Sequence, residues 1–144
     1  MLALALAMFA PFAPAYADDP VADRAAVVEM IKVKYIPTLE DQRITLLQLK
    51  SIMKVDASLL KQVNSVIADF DANYAAITKG LADPNQAIQP IIDLCEEEVE
   101  EFANSIYQLK LMAGKIKTIT CIKGKSSRKV SALAPKCPAG YKKK

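Results

Sequence analysis

The sequence predicts a mainly α fold, an up-and-down helical bundle or antiparallel coiled coil of three to four helices, closed by a small C-terminal β-hairpin. Three observations carry this expectation. Two long runs repeat apolar residues at alternating spacings of three and four, the breaks between periodic runs are short, and after Gly114 the pattern changes to short stretches rich in Thr, Ser, Ile and Val.

The chain opens with MLALALAMFAPFAPAYADD, an apolar stretch over residues 2–13 followed by an Ala15, Tyr16, Ala17 ending. A short apolar core before an A-x-A triplet predicts a signal peptide over residues 1–17, leaving Asp18 as the first residue of the exported chain. No Lys or Arg precedes Arg24, so the usual basic n-region is missing, which points to a mis-assigned start or a truncated 5′ end. A membrane span is the weaker reading: it needs about 20 apolar residues, whereas Pro11 and Pro14 interrupt this run and Asp18 and Asp19 end it.

Residues 18–116 read as the helical bundle. Asp19 and Pro20 suit a helix start, and Thr38 with Asp41 resembles a capping box for a segment ending near Lys54. Val21, Ala25, Val28, Tyr35, Leu39, Leu46, Leu49 and Met53 stay roughly in register across Pro37, so one kinked helix and two separate helices are both open. A break follows at Val55, with Asp56 or Ser58 as the next N-cap. Leu60, Val63, Ile67, Phe70, Tyr74, Ile77 and Leu81 then mark one stripe, and Ile91, Cys95, Val99, Phe102, Ile106, Leu109, Ala113 and Ile116 mark another. Between them ADPNQ, residues 82–86, offers Asp83 as a cap and Pro84 as a first-turn residue, and so short a connector makes the two helices antiparallel neighbours. Heptad rhythm of this kind also permits a homo-oligomer through the same stripes.

Charge divides the chain. Residues 18–114 hold nine Lys and Arg against all sixteen Asp and Glu, a net of −7, whereas ten basic residues and no acid follow from Lys115 to the end. Such asymmetry marks an interaction tail more than a folding requirement.

Residues 117–144 form that tail, expected as a hairpin turning at 124–127 and closed by a disulfide. Isolated two-stranded hairpins are marginal in water, and an exported chain permits disulfides. A Cys121–Cys137 bond closes a loop worth on the order of 3 kcal/mol in the chain-entropy model. An unbroken helix from Cys95 to Ile116 climbs roughly 31 Å, and five more residues reach back at most about 18 Å. A Cys95–Cys121 bond therefore demands a broken helix, while Cys137 has chain enough to reach either partner. The expected pairing is Cys121 with Cys137, leaving Cys95, an apolar-stripe residue beside three glutamates, as a shielded thiol.

The run ITCIKGKSSRKVSALAPKCPAGYKKK, most specifically TCxKGK followed by PKCPAGYKK, resembles a lysine-rich, two-cysteine segment that ends many otherwise dissimilar exported proteins of actinobacteria. Recurrence behind unrelated bodies implies a portable module for export, anchoring or surface contact, and implies nothing about the helical part.

Several chemistries are excluded or weakened by composition. The chain has no histidine, which removes Ser-His-Asp and Cys-His activation and the commonest transition-metal ligand. Its four glycines are widely separated, so no phosphate-cradling loop or dinucleotide fingerprint exists. The acids of CEEEVEEF, residues 95–102, read as an outward, solvated face, with a weak Ca²⁺ site or a docking surface for the basic tail as lesser readings. Neither a catalytic set, a cofactor site nor a metal site is expected.

With Arg128 its single arginine and Tyr141 its single aromatic, the tail has no reader for sequence-specific nucleic-acid recognition. Lys123, Lys125, Arg128, Lys129, Lys136, Lys142, Lys143 and Lys144 are instead candidate contacts to an anionic envelope polymer or a surface protein, in a secreted or extracytoplasmic, envelope-associated setting. The alternative expectation is a carrier of a small apolar ligand held between the helices.

Overall fold

The computed structural model describes residues 20–144, and the expected signal peptide over residues 1–17 lies outside them. Four helical segments, α1 (Pro20–Lys34), α2 (Ile36–Met53), α3 (Ala57–Ala82) and α4 (Gln89–Ala113), precede three strands, β1 (Lys117–Lys123), β2 (Ser126–Ala132) and β3 (Lys142–Lys143).

The helical segments form three rods. Only Tyr35 separates α1 from α2, with helical dihedrals of φ −108° and ψ −39°. Its N–H donates to Ile31 O at 2.9 Å, and its carbonyl accepts from Leu39 N–H at 3.0 Å, so the helical register passes through the junction. Pro37 has no N–H to offer Val33 O, and the ladder opens there. Buried Ile31, Tyr35, Leu39, Gln42, Leu46, Leu49 and Met53 recur every three or four residues across the break. A single kinked rod is therefore the outcome at Pro37. The expected capping by Thr38 is not observed, because α2 begins at Ile36 without any side-chain cap.

Asp56 starts α3 as the sequence leads one to expect, accepting from Ser58 and Leu59 N–H groups. Its core line runs through Leu59, Val63, Ile67, Phe70 and Ile77, so Leu59 takes the central place expected of Leu60, which packs only partly against the core. Phe70, fully buried, stacks against Tyr74 at 5.8 Å and meets Phe102 of α4 at 4.8 Å between ring centroids.

The connector to α4 is longer than expected. Asp83 closes α3 and its Oδ1 accepts the Asn85 N–H at 2.9 Å, while α4 begins only at Gln89, with Pro90 in its first turn. Asp83 and Pro84 thus belong to the turn, and Pro90 is the proline that suits a helix start. Arg24 fastens α1 to this connector: its guanidinium donates to Gly80 O, Asp83 O and Gln86 O at 3.2, 2.6 and 2.8 Å. Farther along, Arg43 pairs with Asp71 at 2.9 Å, and the Tyr74 hydroxyl donates to Glu40 at 3.2 Å. These contacts set the α1–α2 rod antiparallel to α3. Gly80 permits the tight crossing of α3 and α4, since a Cβ there would lie 2.9 Å from Ile91 Cδ1.

The strands form one antiparallel sheet of order β2-β1-β3. Lys123 pairs with Ser126, so the hairpin turn is Gly124 and Lys125 alone, and Ser126 and Ser127, expected in the turn, belong to β2. Gly124 has φ +57°, the left-handed region that glycine enters without a Cβ penalty. The third strand goes beyond the expected hairpin: Lys142 and Lys143 return along the open edge of β1, and Lys144 N–H donates to Thr120 O at 2.9 Å. Because the sheet leaves α4 at its C-terminal end, it sits beside the α2–α3 turn, where Leu133 N–H donates to Asp56 Oδ2 at 3.2 Å.

Candidate anion-binding module

Cys121 and Cys137 are joined by a disulfide, with Cα atoms 5.6 Å apart. Cys121 lies fully buried in the central strand. Directly across from it stand Arg128 on β2 and Lys143 on β3, and the pleat places Lys117, Ile119 and Lys123 on that same face. The returning segment, residues 133–141, runs from the end of β2 through Cys137 to β3, and the Tyr141 ring lies 6.0 Å below the Lys123 ammonium. Gly140, at φ +80°, leaves room for the Lys123 side chain. The opposite face carries Thr118, Thr120, Ile122, Lys129 and Lys142, with the Thr118 and Ser131 hydroxyls hydrogen bonded at 2.7 Å.

Every cation expected to meet an anionic surface is exposed: Lys123, Lys125, Arg128, Lys129, Lys136, Lys142, Lys143 and Lys144. They do not converge on one point. Lys125 occupies the turn, Arg128 and Lys129 alternate across the sheet, and Lys136 flanks the disulfide. Three lysines border an open cleft of about 580 Å³ at the β1–β3 edge, lined by Lys117, Thr118, Ile119, Thr120, Lys143 and Lys144. Lys117 and the two threonines escaped the sequence reading because their proximity to the C-terminus depends on β3, a two-residue strand with no periodic signal of its own.

Among the described residues, the ion pairs join Lys32 to Glu29, Lys34 to Glu96 and Arg43 to Asp71, all within the helical body. None joins a cation of the C-terminal module to a carboxylate. The acids of CEEEVEEF lie on α4 some 13 to 18 residues before Gly114, which is about 20–27 Å up the helix at 1.5 Å per residue. The basic module therefore does not dock on them, and its Leu133 N–H hydrogen bonds instead to Asp56 of the body.

That acidic run also differs from a purely outward face. Glu98 is buried on the stripe between Cys95 and Phe102, the place expected of Val99, which is half-buried. Burial pushes its carboxyl above the usual glutamate range, with Glu101, Glu97 and Asp69 adding to the rise and the Asn73 amide opposing it. Glu96 points outward and is held low, chiefly by the Tyr35 hydroxyl donating at 2.6 Å and also by Lys34. Among the described residues no cluster of three or more Cys, Asp or Glu side chains is arranged to hold a metal ion.

Cys95 is free and fully buried, and burial, then the Glu96 charge, push its thiol up to about 11. An apolar concavity of the body, lined by Lys32, Ile36, Tyr74, Thr78, Leu81 and Ala82, is a groove open to solvent. Comparison of the chain with protein-family models, with characterised proteins and with solved structures returned no match. The disulfide is compatible with an extracytoplasmic setting, and among the described residues no helix is long and apolar enough to cross a membrane.

Proposed function

We propose that this is an exported, non-enzymatic helical protein whose C-terminal module holds it against an anionic polymer or surface protein of the cell envelope. The observation that carries this reading is the set of ten basic residues from Lys115 onward, none of them ion-paired to a carboxylate among the described residues and nine of them on the disulfide-closed module of residues 117–144. Solubility requires charge but no cross-link and no third strand. Lysines spread over two faces and an edge suit a flexible polyanion with distributed charge, since each ammonium acts as a point charge, whereas bidentate recognition of a single phosphate or carboxylate calls for arginine. The resemblance of residues 117–144 to the ending of other exported proteins accords with a portable contact module.

Binding of the disulfide-intact chain to isolated envelope material tests the proposal. The attraction is Coulombic and exposed, so it should fall steeply as the Debye length shrinks from about 10 Å at 0.1 M salt to about 3 Å at 1 M. Replacing Lys117, Lys143 and Lys144 by Gln should weaken binding at low salt while leaving the far-UV spectrum unchanged. Equal binding by the triple variant and a variant ending at Lys117 to that of the full chain would return the lysines to a solubilising role.

A further inference from the structure

The α1–α2 rod carries two apolar faces. One packs into the bundle. On the opposite side Met30, Val33, Ile44 and Leu47 remain 41%, 71%, 54% and 43% exposed. Scattered exposed apolar residues are ordinary, but these keep the bundle's own helical phase. Taken with Pro37, their spacings of three, four, seven and three put them on the a and d positions of a heptad repeat, with Glu40 completing the missing step.

We propose that a second copy of this chain docks on this outward face, antiparallel to the first across a two-fold axis, with α1–α2 of each copy forming the seam. Charge and apolar pattern select the arrangement together. When residue numbers on the two copies sum to 77, Met30 meets Leu47 and Val33 meets Ile44. Ala26 meets Ser51, Pro37 meets Glu40, and at the ends Asp23 meets Lys54. The flanking positions agree: Glu29 falls beside Lys50 of the second copy, within two residues of that register, while Lys34, which stands beside its Asp41, is already engaged by Glu96 and Tyr35 of its own bundle. Symmetry repeats every pair, as an isologous interface requires. A parallel pairing would instead stack Asp23, Glu40 and Lys54 each on its own copy, like charge on like charge in the seam. The antiparallel order also brings the basic module, which sits at the C-terminal end of α2, toward the acidic start of the second copy's α1. It places the two modules at opposite ends of the dimer, about 50 Å apart for a helical rise of 1.5 Å per residue.

Sedimentation equilibrium of the full disulfide-bonded chain, secreted from an exporting host, tests this directly. The expected mass is that of a dimer, and a mass that stays monomeric at the highest soluble concentration overturns the proposal. A variant with Val33→Glu and Ile44→Glu should be monomeric with an unchanged helical spectrum. The orientation is tested with surface changes that spare folding: Glu29→Lys alone and Lys50→Glu alone should each raise the dimer dissociation constant about tenfold, and their combination should restore it. Rescue of Glu29→Lys by Lys34→Glu in place of Lys50→Glu would show a parallel seam and overturn the antiparallel assignment. A monomer that binds phosphatidylglycerol vesicles through Val33 and Ile44 would show the face to be a lipid contact and would likewise overturn it.

Discussion

The Leu133 N–H donates to Oδ2 of Asp56 across 3.2 Å, joining residues 77 positions apart, while Oδ1 of the same carboxylate caps α3 through Ser58 and Leu59. One side chain thus starts a helix of the body and fastens the returning segment of the basic module.

These donors hold the Asp56 carboxyl below the usual aspartate range, the Leu133 N–H first, then Leu59 and Ser58. A carboxylate lowered in the fold contributes stability that is present above its ordinary value of about 3.9 and is lost as pH falls through the lowered one. Asp56→Ala should therefore speed amide exchange at Leu59 and Leu133 at neutral pH, and the difference from the parent should shrink in strong acid. Unchanged exchange at Leu133 would show that the module is held by other contacts.

Glu98 carries the opposite sign. Its carboxyl is raised by burial, so the charged form costs the fold stability as pH rises from the ordinary glutamate value of about 4.3 through the raised one. Glu98→Gln keeps the shape and removes the charge. Thermal melts should show the variant a few degrees more stable at pH 7, on the usual scaling of Tm with stability for a chain of this size, and indistinguishable from the parent near pH 4.

Reduction of Cys121–Cys137 should loosen the module and spare the body. Removing the cross-link costs about 3 kcal/mol in the chain-entropy model, enough to open a small sheet whose other tether to the bundle includes Asp56. Far-UV helicity should persist while amide protection in β1 and β2 collapses. Under the same native conditions Cys95, fully buried with its thiol pushed up to about 11, should resist maleimide until the bundle itself unfolds.

Phe70→Ala should cost about 3–5 kcal/mol, the usual range for a buried phenylalanine, because Phe70 is fully buried between Tyr74 and Phe102. Chemical denaturation reads the change as a lower midpoint at nearly constant slope. A loss below about 1 kcal/mol would mean that the three-rod core repacks around the gap.

The stripes of α3 and α4 were legible because their apolar residues keep helical spacing and face one side. Glu98 was not, since local spacing admits either Val99 or Glu98 to the inner line, and the packing of α3 against α4 decides between them. The start of α4 was misplaced because two prolines, Pro84 and Pro90, each suit a first turn, and only the turn closed by Asp83 selects the second. Chain reach argued only against a Cys95–Cys121 bond and left Cys137 able to meet either partner, and the cleft of Lys117, Lys143 and Lys144 depended on a strand of two residues. The second apolar face of α1–α2 was hidden by its balance: apolar residues on both sides of a helix leave little net pattern to read.

The burial of Cys95 also imposes an order of events. Three cysteines permit three single disulfides, and two of them would join the bundle to its appendage. Helices with short connectors gain most of their contacts locally and assemble in microseconds to milliseconds, whereas thiols oxidise over seconds to hours. By the time an oxidant acts, Cys95 is already enclosed, and Cys121 and Cys137 are the two thiols left to find one another. Correct pairing is thereby selected by timing, with the fast-folding bundle removing the competing thiol before the slow chemistry begins.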